Sequence, residues 1–249
     1  GSFPISKHLL FLLHSFPTDT LILIERFTWW FHILGILGFM NYVLISKHLH
    51  IFFAFPSTYY ANINKLGQFD NLQSVTNEVK LMLDPNADPY AVNNDDNSNT
   101  PQLFGARDAT DLNWVQLLNS YSCTECGRCS SVCPANQTGK LLSPRKIMMD
   151  TRDRIEEIGS NSAKDDGKFL LGDYISKAEL WACTTCNACT DACPINLDPL
   201  SIIVDLRRYL VMEESSAPTE LNNMFSNVEN NGAPWKFPVD DRLKWLDNQ

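Results

Sequence analysis

The run Cys123-Thr-Glu-Cys126-Gly-Arg-Cys129-Ser-Ser-Val-Cys133-Pro134 returns sixty residues later as Cys183-Thr-Thr-Cys186-Asn-Ala-Cys189-Thr-Asp-Ala-Cys193-Pro194. Both read C-x2-C-x2-C-x3-C-P, and together they hold all eight cysteines of the 249-residue chain. Three thiolates at this spacing wrap three corners of an iron–sulfur cube, and the fourth, leaving just before proline, ligates the other cluster. The pattern therefore predicts one [4Fe–4S] cluster on Cys123, Cys126, Cys129 and Cys193, and a second on Cys183, Cys186, Cys189 and Cys133. Crossed ligation of this kind ties two halves of a domain together, so cluster binding is also folding energy.

Zinc is the rival for eight cysteines, as two sites of four thiolates. Zinc motifs pair their C-x2-C units across a longer gap, so tandem runs ending in Cys-Pro fit iron–sulfur chemistry better. A disulfide scaffold would spread its cysteines through a small secreted domain. No thiol remains for other chemistry, and no G-x-G-x-x-G, flavin motif or acid–base pair accompanies the runs. Glu125, Ser130, Ser131 and Asp191 read as cap, turn or surface residues. Arg128, Lys140, Arg145 and Lys146 either soften the clusters' negative charge or form an ordinary solvated face.

Working outward, short helices surround the runs, and the expected fold class is mainly α. Asp111 is the expected cap of a helix reaching Ser120. Ser143-Pro144 opens RKIMMDTRDRIEEIG with an N-cap and a first-turn proline, and Asp198-Pro199 repeats the signal before LSIIVDLRRYLVM. Ser176–Ala182 reads as helical. No strand alternation stands out, and the tail from 215 reads as irregular.

The paired runs with a helical insertion between them resemble the alpha-helical ferredoxin domain. That domain is shared by iron–sulfur subunits of heterodisulfide reductase, anaerobic glycerol-3-phosphate dehydrogenase and succinate dehydrogenase. YSCTECGRCSSVCPANQTGKLLSP resembles bacterial iron–sulfur oxidoreductases of the heterodisulfide-reductase type most. The resemblance covers residues 105–215. It implies that cysteine-rich CCG domains follow and act on a thiol, disulfide or other substrate. The chain begins Gly-Ser rather than Met and stops at Gln249, where such domains would start, so it reads as a fragment.

Residues 27–46, FTWWFHILGILGFMNYVLIS, contain no Asp, Glu, Lys or Arg and are flanked by Arg26 and Lys47. About 20 apolar residues at 1.5 Å each cross a ~30 Å hydrocarbon core. Trp29, Trp30 and Tyr42 suit an aromatic belt. A buried helix of a soluble core is the other reading. The helix is expected to extend from a Thr20 cap to Pro56. Leu9–Phe16 is too short to span and suits the interface or neighbouring membrane helices. The expected domains are thus a membrane segment (1–56), a connector (57–108), the ferredoxin domain (109–214) and the tail (215–249). The connector holds one amphipathic helix near Asn71–Leu83 and the polar run Asn93–Thr100, which cannot build a core.

The five histidines, at 8, 14, 32, 48 and 50, all lie in the membrane segment. His50 follows His32 by eighteen residues, five turns of one helix, so both rings would share a face about 27 Å apart along the axis. His48 is rotated off that face. Two such histidines suit two stacked b-type haems, each needing a second ligand from another helix. The bland alternative is a core-packed His32 with His48 and His50 as interfacial anchors. WWFHILGILGFMNYVLISKHLHI also resembles a haem-ligating helix of the nitrate reductase gamma-type cytochrome b family, whose ligands match His32 and His50. One helix cannot enclose two haems, so upstream helices or a separate cytochrome b protein are implied. Lys47, His48 and His50 follow the span, and the positive-inside rule puts that end, with the ferredoxin domain, in the cytoplasm of a bacterium.

Charge excludes one partner class. Twenty Lys and Arg against 29 Asp and Glu give −9, with no basic excess for nucleic acid. The expected function is an electron relay from a membrane haem or quinone site, through two clusters, to a heterodisulfide-reductase-like catalytic domain. The alternative is the iron–sulfur subunit of a respiratory dehydrogenase of glycerol-3-phosphate, lactate or succinate type. The chain by itself is not expected to be catalytic.

Overall fold

A computed structural model describes residue 8 and residues 14–65, 67–84, 103–161 and 166–246. Most of Leu9–Phe16 and all of Asn93–Thr100 lie outside the described residues. The protein is mainly helical, with no strand among the described residues. It divides into two units, 1–52 and 53–249.

In the first unit, helix α1 covers Thr18–Leu44, 27 residues, with Asp19 in its first turn. At 1.5 Å per residue it is about 40 Å long, enough to cross a membrane. Its apolar side chains face outward on all sides, Trp29, Trp30, Phe31 and Leu34 among them. Two of its polar side chains bond back to the helix backbone. Thr28 Oγ1 donates to Ile24 O at 2.9 Å, and Asn41 Nδ2 donates to Leu37 O at 2.8 Å. Such internal satisfaction is what a helix without water around it needs.

The expected continuous helix to Pro56 is corrected. α1 stops at Leu44, and a 3-10 turn, Lys47–Leu49, starts where the Ser46 hydroxyl accepts from His48 N. Helix α2 then runs His50–Tyr59 with Pro56 inside it. Ser46 is a cap, and capping a new turn breaks the register of the old one. The eighteen-residue phase that would align His32 with His50 is therefore interrupted.

In the second unit, α3 (Gln73–Leu83) matches the amphipathic helix expected near Asn71–Leu83. Then come a 3-10 turn at Ala109–Asp111, α4 (Trp114–Ser122), α5 (Arg128–Ser131), α6 (Pro134–Gln137) and α7 (Pro144–Ser160). After a kinked turn at Leu170–Tyr174 follow α8 (Lys177–Ala182), α9 (Ala188–Asp191), α10 (Pro199–Met212), α11 (Thr219–Asn231) and a 3-10 turn at Val239–Leu243. Asp111 does not cap α4. Asn113 does, in a reciprocal capping box with Gln116, while Asp111 closes the box of its own 3-10 turn with Asp108. The tail is not wholly irregular either: Leu221, Met224, Phe225 and Val228 recur at helical spacing along α11, which ends at the left-handed Gly232.

The core lies where α7 and α10 pack with α4 and α8. α10 buries Ile202, Ile203, Leu206 and Leu210, and α7 buries Ile147 and Met148. Each such side chain stabilises by roughly 1.5–3 kcal/mol. Charged clamps add specificity: Lys146 on α7 joins Asp150 and, across to α8, Glu179, each at 2.8 Å. At the edge, Ala106 N donates to the carbonyl of Asp205 at 3.0 Å. That approach needs Gly105, whose φ is +104° and where an added Cβ would run into Tyr209 N.

Candidate metal centre

The two cysteine runs are built alike. Each begins at the C-terminus of a helix opened by a capping box, Asn113 with Gln116 before Cys123 and Ser176 with Glu179 before Cys183. Each run then turns twice through the left-handed region: Glu125 (φ 58°) and Gly127 (φ 81°) in the first, Thr185 (φ 56°) and Asn187 (φ 61°) in the second. Each ends by handing the chain to a helix whose N-cap, Ser143 or Asp198, precedes a first-turn proline. The short helices that carry the third cysteines, α5 and α9, pack against each other.

Alternating left-handed turns aim backbone N–H groups at a common concavity. Here they aim at sulfur. Thr185 N donates to Cys183 Sγ at 3.4 Å, and Glu125 N does the same for Cys123. Beside the third cysteine of each run, the amide of Ser130 serves Cys129 and that of Thr190 serves Cys189, while the Thr190 hydroxyl donates to Asp198 at 3.2 Å. Read in one dimension, Ser130 is only a cap or turn residue. Its repetition as Thr190, one place after the third cysteine, is the signal that marks it.

The thiols fall into two groups. Cys133, Cys183, Cys186 and Cys189 line a single small cavity, with Leu142, Pro144, Leu200 and Ile203 as apolar walls. In the other group, burial pushes the Cys123 and Cys129 thiols up, and both feel the nearby sulfurs of Cys126 and Cys193. Burial also pushes Cys189 up to about 12. Cys133 and Cys189 are buried, while Cys126 and Cys186 are exposed, one in each group. Among the described residues no three His, Cys, Asp or Glu side chains gather on one point as a single ion requires. Zinc would need four sulfurs about 2.3 Å from one centre. Four thiols spread around a largely apolar cavity, with amides aimed at sulfur, have the donor chemistry of a cubane. Buried thiolates also need the positive charge that iron supplies.

Lys146 is engaged by Asp150 and Glu179, and Arg145 lies near Gly127. A cation that acts on Cys183 is Arg207, which the sequence does not single out. Its guanidinium donates to the carbonyls of Leu180 and Cys183 and lies 4.9 Å from the Trp181 ring centroid. Burial lowers its pKa. Among the histidines, His32 is exposed on α1, and His50 Nδ1 lies 2.6 Å from the Lys47 carbonyl. A carbonyl only accepts, so Nδ1 is the donor in this contact.

Residues 122–197 match the 4Fe-4S dicluster domain family. The chain carries a 4Fe-4S domain and is a relative of iron–sulfur oxidoreductases. It is 29% identical to the "Probable iron-sulfur-binding oxidoreductase FadF" of Bacillus subtilis, across 98% of this chain and 36% of that protein. It is 28% identical to an "EtfAB:quinone oxidoreductase" of Syntrophomonas wolfei, across 94% of this chain and 33% of that one. A "Probable membrane-anchored ferredoxin" of Chromohalobacter salexigens is 32% identical across 57% of this chain and 24% of its own length. Heterodisulfide reductase subunits of Methanosarcina acetivorans and Methanosarcina mazei are further relatives. The chain thus spans about a third or less of the first three relatives. The 4Fe-4S chemistry expected of the runs agrees with the family match, and the membrane-anchored relative agrees with α1 as a candidate span.

Proposed function

We propose that this chain is a one-electron relay of a membrane-bound oxidoreductase. Cys123, Cys126, Cys129 and Cys193 hold one [4Fe–4S] cluster; Cys183, Cys186, Cys189 and Cys133 hold the other. The observation that carries the reading is Cys133, which shares its cavity with three cysteines of the second run and none of its own. Clusters held there would supply one-electron redox chemistry. The residues of the chain do the rest. Eight thiolates bind, amides of Glu125 and Thr185 hold sulfur charge, and apolar walls exclude water. Exposed Cys126 and Cys186 leave one edge of each site open to redox partners. Anaerobic reconstitution tests this: about eight iron and eight sulfide per chain are expected, with reversible EPR signals on reduction. Half that iron, or an unreducible centre, would refute the relay.

At the other end, α1 spans the cytoplasmic membrane, with the cluster domain on the cytoplasmic side. His50 offers Nε2 to a b-type haem completed by helices outside this chain, and His32 serves a second haem from α1. The hydrogen bond from His50 Nδ1 to the Lys47 carbonyl supports the first assignment, since it fixes the ring as it does in other metal-bound histidines. Quinone is the membrane-side redox partner, in keeping with the quinone oxidoreductase among the relatives. A CCG-type catalytic domain is the other partner, in keeping with the heterodisulfide reductase subunits. In the full complex, His50→Ala is expected to remove one haem by pyridine haemochrome assay. Undiminished haem in both His32→Ala and His50→Ala would leave the iron–sulfur component of a quinone-linked dehydrogenase as the better reading.

A further inference from the structure

The shared plan of the two halves puts an arginine at the same step in each. Arg152 stands eight residues after Pro144, and Arg207 stands eight residues after Pro199. Their surroundings differ. Arg152 Nη2 lies 2.7 Å from Glu125 Oε1, so its charge is answered by a carboxylate within the first cysteine run. The counterpart of Glu125 is Thr185, at the same left-handed position and uncharged. Arg207 accordingly turns to carbonyls, with Nε donating to Leu180 O at 3.0 Å and Nη2 to Cys183 O at 2.6 Å. Among the described residues no carboxylate pairs with it.

We propose that Arg207 is a positioning residue that sets the potential of the second cluster. It pins the start of the Cys183 loop through two carbonyls, and its unanswered positive charge favours the electron added there, raising the reduction potential. At the first cluster, Glu125 cancels the matching contribution of Arg152. The step is a one-electron reduction of the cubane by a haem, quinol or added dithionite. No bond is made or broken, and Arg207 keeps its proton throughout. Asp198, beside Cys189, carries the opposite charge at the N-terminus of α10. It is common to parent and variants, so it drops out of any comparison between them.

The proposal rests on the two-cluster reading above, and one experiment separates the two. Redox titrations of the full chain are followed by EPR, with Cys186→Ser marking which signal belongs to the second cluster. Arg207→Met is expected to disfavour reduction of the second cluster alone by about tenfold, ~59 mV for one electron. Arg207→Lys keeps the charge and is expected to restore most of the midpoint. Glu125→Gln removes the nearer partner of Arg152, leaving Asp153 at 3.6 Å, and is expected to raise the first midpoint. A second midpoint unmoved in Arg207→Met, or lowered equally in Arg207→Lys, overturns the proposal while both clusters remain. Should Arg207→Met fail to assemble, Glu125→Gln decides, and an unmoved first midpoint overturns the proposal. A parent chain with a single cluster overturns the two-cluster reading and this proposal with it.

Discussion

Arg154 and Asp108, 46 residues apart in sequence, meet as a bidentate pair: Nε lies 2.9 Å from Oδ1 and Nη2 lies 2.8 Å from Oδ2. The Arg154 side chain is only 5% exposed. Asp166 at 2.8 Å and the Lys168 carbonyl at 2.6 Å fill its remaining donors. One buried guanidinium thus fixes α7 to the segments on either side of it.

Removing that guanidinium leaves Asp108 and Asp166 without their cation. Arg154→Met is expected to destabilise the cluster domain by about 3–5 kcal/mol, the usual effect of breaking a buried pair from one side. Guanidinium denaturation of the loaded protein in detergent measures it. A loss below about 1 kcal/mol would mean that the pair is not what holds these segments.

The same clamp makes stability depend on acid. The Arg154 guanidinium and the Lys168 amide hold the Asp166 carboxyl at about 2. Burial pushes Asp108 up, but Arg154 and the amides of Ala109 and Leu170 outweigh it and bring it below the usual carboxylate range. A depressed folded-state pKa contributes stability above the unfolded value of about 4 and loses it as pH falls toward 2. Between about pH 5 and pH 3, the parent should therefore lose more stability than Asp166→Asn. Parallel acid profiles for the two would contradict this.

Crossed ligation has a distinct signature. Cys133→Ser is expected to damage the second cluster and Cys193→Ser the first, each lowering iron from about eight to about four per chain. EPR that loses the Cys123 group's signal in Cys133→Ser would assign each run to its own cluster instead.

Gly105 lies against the backbone of α10. Gly105→Ala would drive a Cβ into Tyr209 N and Asp205 O while holding φ at +104°. The expected cost is about 2–4 kcal/mol, from overpacking plus left-handed strain. Thermal denaturation tests it, and a melting temperature equal to the parent's would show that the segment shifts freely.

The cluster domain is legible in the sequence because its signals are local. Cysteine spacing, Ser143-Pro144 and Asp198-Pro199 each act within a few residues, and α7 and α10 start where those caps put them. What escapes is either a competition or a long-range contact. Ser46 caps a new turn at Lys47–Leu49, so α1 ends at Leu44 well before the Pro56 that reads as its stop. Asn113 takes α4 from Asp111 because Gln116 can reciprocate. Asn-rich composition masks the apolar stripe of α11. Arg207 gives no sign in one dimension, since its partners Leu180 and Cys183 are more than twenty residues away.

The cavity shared by Cys133 with Cys183, Cys186 and Cys189 also constrains biosynthesis. A nascent chain that has emerged only as far as Pro144 has one run and neither site. On the crossed ligation proposed above, neither site is complete until the second run has been made, so iron delivery to the first run alone would be premature.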